Sequence, residues 1–69
     1  MICYYKLFDM LNRKNIKKTA LLNVISSASL AKLSKNQNVH MTTILKICLY
    51  LECQPGDIME FLPDKFDNL

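Results

Sequence analysis

The sequence predicts an all-α domain built from five short helices, and three observations carry that prediction. Apolar residues recur at three- and four-residue spacing through most of the chain, the period of a helix with one buried side. Hydrophobic residues make up 51% of the 69 positions, with one Gly, two Pro and no Trp. That composition suits a compact helical protein with short connections better than a Gly-rich β fold or a disordered chain. The length allows one domain only, expected over 1–63, with 64–69 as a frayed C-terminal tail. A core of that size supplies just a few kcal/mol, so oligomerisation or a bound partner is expected to add to it.

The first helix is expected from about Tyr4 to Lys14, because Tyr4, Leu7, Phe8 and Leu11 share one side while Lys6, Asp9, Asn12 and Arg13 lie largely on the other. Asn15 ends it. A second helix of about two turns follows Lys17-Lys18-Thr19 through Ala20, Leu21, Leu22 and Val24, with Asn23 closing it in a left-handed conformation. Ser26 or Ser27 is the N-cap of the third helix, since a serine hydroxyl accepts from the free N–H groups of the first turn. Leu30 and Leu33 mark its buried side, and it runs to about Ser34. After the polar Lys35-Asn36-Gln37-Asn38 turn, Met41, Ile44, Leu45, Cys48 and Leu51 define a fourth helix over Met41–Leu51. Gln54-Pro55 opens a fifth, with Ile58, Met59, Phe61 and Leu62 as packing residues and Pro63 as its stop.

The net charge of +3 hides a split. Met1 to Leu51 carries eight Lys or Arg against Asp9 alone, giving +7, whereas from Glu52 onward five acids face one Lys, giving −4. One basic surface and one acidic end follow, and a basic surface on a small domain attracts phosphate backbones. Cys3, Cys48 and Cys53 are an odd number without a CxxC pair, so neither a disulfide framework nor a zinc site is expected, and a reducing cytoplasm fits. The opening MICYYKLF is interrupted too soon by Lys6 and Asp9 for a signal segment, and no apolar run approaches the ~20 residues needed to cross a bilayer. No membrane association, cofactor or small-molecule ligand is expected.

Two short helices joined by a tight turn form an arrangement in which one crosses a DNA backbone while the next lies in the major groove. The exposed positions of the third helix suit a place in that groove, since Ser26, Ser27, Ala28, Ser29 and Lys32 are small or polar, while Ile25, Leu30 and Leu33 point inward. Small side chains permit close approach to base edges; Ala28 could meet a thymine methyl and Lys32 could donate to guanine. The run KKTALLNVISSASLAKLSKNQNV, continued by ILKICLYLECQPGDIMEF, resembles the short Cro/C1-type, XRE-family helix-turn-helix regulators. The resemblance covers nearly the whole chain and is most specific in ISSASLAKLSKNQNV and ECQPGDIMEF. It implies a five-helix, lambda-repressor-like fold with the helix-turn-helix formed by helices 2 and 3, and a cytoplasmic transcriptional regulator, typically a repressor, that binds double-stranded DNA as a homodimer.

Carried over position by position, the resemblance implies that Ser27, Ala28 and Lys32 face bases. Ser26, Ser29, Lys18, and Lys35 or Asn36 would then contact backbone or sugar. The turn departs from the family, with Asn23-Val24 where relatives have an Ala-Gly pair, and helix two is about two residues short. His40 has no Cys, Asp or Glu at metal spacing and is expected to be a helix-start or loop residue. Cys48 is expected in the core and Cys53 partly exposed, while Tyr4, Tyr5 and Phe8 are expected to fill a core or a dimer interface. No nucleophile–base–orienter set or phosphate-cradling Gly loop is present, so an enzyme is not expected. The alternative reading is a protein-interaction module, an antitoxin-like or phage-encoded partner, using the apolar last helix.

Overall fold

The computed structural model describes residues 1–62. Three α-helices make up most of it: α1 (Tyr5–Arg13), α2 (Ser27–Ser34) and α3 (Met41–Leu51). Of two 3-10 segments, Lys18–Asn23 lies between α1 and α2, and Pro55–Asp57 follows α3. Strands β1 (Ile2–Cys3) and β2 (Glu60–Phe61) close the molecule as an antiparallel pair, Ile2 opposite Phe61 and Cys3 opposite Glu60. Leu62 N–H donates to the Met1 carbonyl at 2.7 Å, extending that ladder.

Each helix turns its apolar stripe to one core. α1 contributes Leu7 and Leu11, α2 contributes Leu33, and α3 contributes Ile44, Ile47, Cys48 and Leu51. Leu21 and Ile25 enter from either side of the turn before α2, and Ile58 plugs the core after the second 3-10 segment. Every residue of this set is at most 9% exposed, so the apolar area they remove from water is the main stabilising term.

All three α-helices end at a left-handed residue, one past the cap in α1 and α2 and at the cap itself in α3. Asn15, Asn36 and Glu52 adopt left-handed φ values of 56°, 55° and 54°. The residue after each donates back across the last turn: Ile16 to Leu11 at 2.9 Å, Gln37 to Lys32 at 2.9 Å, and Cys53 to Cys48 at 3.0 Å. This is the Schellman closure, which satisfies carbonyls the helix end leaves free and brings the two flanking side chains together. None of the three left-handed positions is a glycine, although glycine is the residue that takes that conformation without strain.

The structure corrects the all-α, five-helix expectation at several points. Helix two is a six-residue 3-10 segment: Ala20 N–H bonds to the Lys17 carbonyl and Val24 N–H to Leu21, both three residues back at 2.9 Å. At about 2.0 Å per residue this winding spans more length than an α-helix of equal size, which lets a shortened segment still reach the turn. Asn23 is not the left-handed residue; the segment closes through Val24 at φ −128°. The expected fifth helix is one 3-10 turn, after which Glu60–Phe61 is a strand. Gly56 weakens continued helix there, Ile58 turns into the core, and β-prone Phe61 finds its partner in Ile2. Pro63 and the 64–69 tail lie outside the described residues.

Candidate nucleic-acid interface

Leu21 and Ile25, at 0% and 9% exposure, bracket the turn and pin the start of α2 against the core. Ile25 N–H reaches back to the Leu21 carbonyl at 2.9 Å, so the turn is hydrogen-bonded as well as packed. α2 then begins at Ser26, whose backbone is extended (φ −78°, ψ 161°) and whose hydroxyl accepts the Ser29 N–H at 3.1 Å. The Ser26 hydroxyl in turn donates to the Ser29 hydroxyl at 3.1 Å. Ser26 therefore makes the expected N-cap, and both serine hydroxyls are committed to each other at the helix start.

Only Leu33 of α2 is fully buried, with Ser29 and Leu30 half-buried beside it. At about 100° per residue, the exposed Ser34, Ser27, Ala31, Lys35, Ala28 and Lys32 follow one another around roughly 160° of the helix surface. Ser27, Ala28 and Lys32, the residues expected to face bases, thus share one outward surface with Lys35. Ala31 lies in the middle of it and was not singled out from the sequence. Its signal was available: Ala31 is three residues after Ala28 and four before Lys35, the spacing of helix-face neighbours.

Lys18 opens the 3-10 segment, exposed, with its ammonium 6.0 Å from the centre of the Phe8 ring. That distance is at the outer limit of a cation–π contact and holds the lysine beside α1. Asn36 has a different job from Lys35. It closes α2 in the left-handed conformation, and its Oδ1 accepts the Tyr4 N–H at 3.2 Å. The Tyr4 hydroxyl donates to the neighbouring Gln37 carbonyl at 2.8 Å, so the loop after α2 is tied to the start of α1.

The stretch of chain that contains α2 carries charge of one sign. From Lys14 to Leu51 the chain has six lysines and no carboxylate. Lys14, Lys17, Lys18, Lys32, Lys35 and Lys46 are all exposed, and none forms an ion pair among the described residues. The two remaining Lys and Arg side chains of the described residues are paired elsewhere: Arg13 with Asp9 at 3.0 Å and Lys6 with Glu60 at 3.1 Å. The Glu60 carboxylate also accepts the Tyr5 hydroxyl at 3.1 Å. These bonds from Lys6 and Tyr5 hold the Glu60 carboxyl below its ordinary range and raise both partners.

The other sequence expectations are placed as follows. Tyr4 is in the core at 1% exposure, where burial raises its hydroxyl pKa, whereas Tyr5 is exposed and serves the Glu60 network. His40 is exposed immediately before α3. Cys48 is buried and Cys53 half-buried. The apolar last helix invoked for a protein-interaction module is absent among the described residues, and Ile58, one of its expected packing residues, is fully buried.

A capped helix presenting small side chains and lysines, preceded by a tight pinned turn, is the geometry of a helix-turn-helix. The profile of the Cro/C1-type HTH DNA-binding domain matches residues 6–64. The chain belongs to that family. A crystal structure of the transcriptional regulator VanUg (Form II) superposes with a TM-score of 0.86 at 43% sequence identity, covering 91% of this chain and 87% of that one. The uncharacterised HTH-type transcriptional regulator YozG of Bacillus subtilis (strain 168) is 39% identical over 41 residues, which is 59% of this chain and 49% of the relative. The chain thus spans about half the length of that curated relative. The chain is thus a small, mostly helical domain of the Cro/C1-type HTH DNA-binding family. Among its described residues no helix is long and apolar enough to cross a membrane.

Proposed function

We propose that the domain binds double-stranded DNA sequence-specifically by laying the outward face of α2 in the major groove, and represses transcription by occupying a promoter. The observation that carries this reading is the pairing of small side chains with unopposed charge. Ser27, Ala28 and Ala31 let the helix approach base edges, Lys32 reaches toward them, and the segment from Lys14 to Leu51 contains no carboxylate to repel phosphate. Lys18 and Lys35, at the start of the 3-10 segment and the end of α2, are assigned to the phosphates on either side. Ser26 and Ser29 act first as the cap that fixes the helix start, and any sugar or phosphate contact by them is secondary. Asn36 would make such a contact through its amide N–H groups, the donors that a phosphate accepts, while its oxygen accepts from Tyr4.

Two copies on half-sites about one helical turn apart would supply the specificity that one short helix lacks. Exposed Met41, Leu45 and Leu49, four residues apart along α3, offer apolar surface for such pairing. Selection of duplexes from a random library at physiological salt tests both points together. A recovered palindrome is the expected result. An asymmetric motif would remove the dimer, and retention without enrichment would remove sequence specificity.

A further inference from the structure

The closure at the end of α3 places two cysteines where the other two helices place unlike pairs. In each closure the residue four before the left-handed position and the residue just past it face each other. These are Leu11 and Ile16 for α1, Lys32 and Gln37 for α2, and Cys48 and Cys53 for α3. The 3.0 Å bond from Cys53 N–H to the Cys48 carbonyl holds the two Cα atoms within about 7 Å even if the linkage is fully extended, which is disulfide reach. Both side chains line one shallow groove, together with Leu45, Leu49, Glu52 and Pro55. Cys53 is half-exposed there, whereas Cys48 is 7% exposed.

We propose that Cys48 and Cys53 are a modification site at which a peroxide writes a reversible intramolecular disulfide across the C-terminal end of α3. The exposed partner reacts first. The Cys53 thiolate attacks the peroxide oxygen, giving a sulfenic acid and releasing water or an alcohol. The Cys48 sulfur then attacks the Cys53 sulfur, forming the S–S bond and expelling the hydroxyl as a second water after the Cys48 proton is lost. Two thiols lose two electrons and the peroxide gains them. Cys48 takes the second role because at 7% exposure it is shielded from peroxide yet lies beside Cys53; the same burial, with the neighbouring Cys53, pushes its thiol up to about 11, so it must lose its proton as it attacks. Cys3, a residue of β1 that is 4% exposed, has no such partner in a helix closure and serves as an internal control.

The test uses the intact protein, hydrogen peroxide as the oxidant and mass spectrometry after blocking free thiols. Cleavage after lysine puts Cys48 and Cys53 together in the peptide 47–65 and leaves Cys3 in another. The expected result is a loss of about 2 Da in that peptide, reversed by dithiothreitol, in a protein that stays monomeric by non-reducing electrophoresis, with Cys3 still free. In Cys48→Ser the same dose should drive Cys53 to gain about 32 Da, because its sulfenic acid has no partner. In Cys53→Ser, Cys48 should stay reduced. Addition of oxygen at Cys53 in the wild type without the loss of about 2 Da would overturn the proposal, as would disulfide-linked dimers as the main product. So would oxidation of Cys3 at the same rate as the pair, or no reaction at all.

Discussion

The Tyr4 hydroxyl donates a 2.8 Å hydrogen bond to the Gln37 carbonyl, joining the residue that caps α1 to the loop leaving α2. With the 3.2 Å bond from the Tyr4 N–H to Asn36 Oδ1, it makes the N-terminus of α1 a clamp on the C-terminus of α2. The residue is 1% exposed, so its hydroxyl sits at the edge of the core and reaches out to the loop.

Replacing that hydroxyl isolates the clamp from the packing. Tyr4→Phe keeps the ring and leaves the Gln37 carbonyl short of a donor, at a cost of about 1 kcal/mol. Calorimetry should show Tm lower by roughly 5 °C. An unchanged Tm would mean that the bond contributes nothing to stability.

Ser26 combines capping with a place at the proposed interface, and the two roles separate under substitution. Ser26→Ala removes the acceptor of the Ser29 N–H and should destabilise the domain by about 1 kcal/mol. Ser26→Asp restores a good cap with a carboxylate and should match wild-type stability while weakening DNA binding by charge repulsion. If the Asp variant binds DNA as well as wild type, the start of α2 does not approach phosphate.

Glu52 holds a left-handed conformation at the end of α3, and its negative charge lies at the negative end of the helix dipole. Both effects are unfavourable there. Glu52→Gly removes the backbone strain and the charge, and should raise stability by about 1 kcal/mol in urea unfolding. A loss of stability would place a compensating contact on the Glu52 side chain.

The Glu60 carboxyl is held below its ordinary value of 4.5, first by the Lys6 bond and then by the Tyr5 hydroxyl. A depressed carboxyl contributes stability that is fully present above its unfolded pKa and lost as pH falls through the lower, folded one. Wild type should therefore exceed Glu60→Gln in Tm at neutral pH, and the gap should close as pH falls below 4.5. A gap independent of pH across that range would show that the charge on Glu60 is not what the network uses.

Much of the helical frame was legible because its signals are local. The α3 bounds Met41–Leu51 follow from the apolar period alone, α1 is one residue shorter at each end than expected, and the Ser26 cap follows from side-chain chemistry. The strands were not legible. Ile2–Cys3 and Glu60–Phe61 are two residues each and make sense only when the ends of the described chain meet, which no local window reports. The 3-10 winding of Lys18–Asn23 differs from α only in which carbonyl each N–H selects, and six residues of apolar pattern do not distinguish the two. Three residues close helices in the left-handed region, yet Asn23, equally suited by type, does not; packing of Leu21 and Ile25 decides that turn. At the candidate site, residue types showed which side chains were polar, while the Ser26–Ser29 and Asn36–Tyr4 bonds depend on geometry that sequence does not carry.

Ala31 offers the most direct test that the outward face of α2 meets DNA. It is exposed at the centre of that face, so Ala31→Glu should leave the fold intact while placing a carboxylate against the phosphates and base edges. Thr42→Glu, exposed in the first turn of α3, is the charge-matched control. Affinity for the duplex recovered by selection should fall by about tenfold or more in Ala31→Glu and change far less in Thr42→Glu, with both variants matching wild type in thermal unfolding. Equal binding by Ala31→Glu and wild type would contradict the assignment of α2 as the DNA-reading helix.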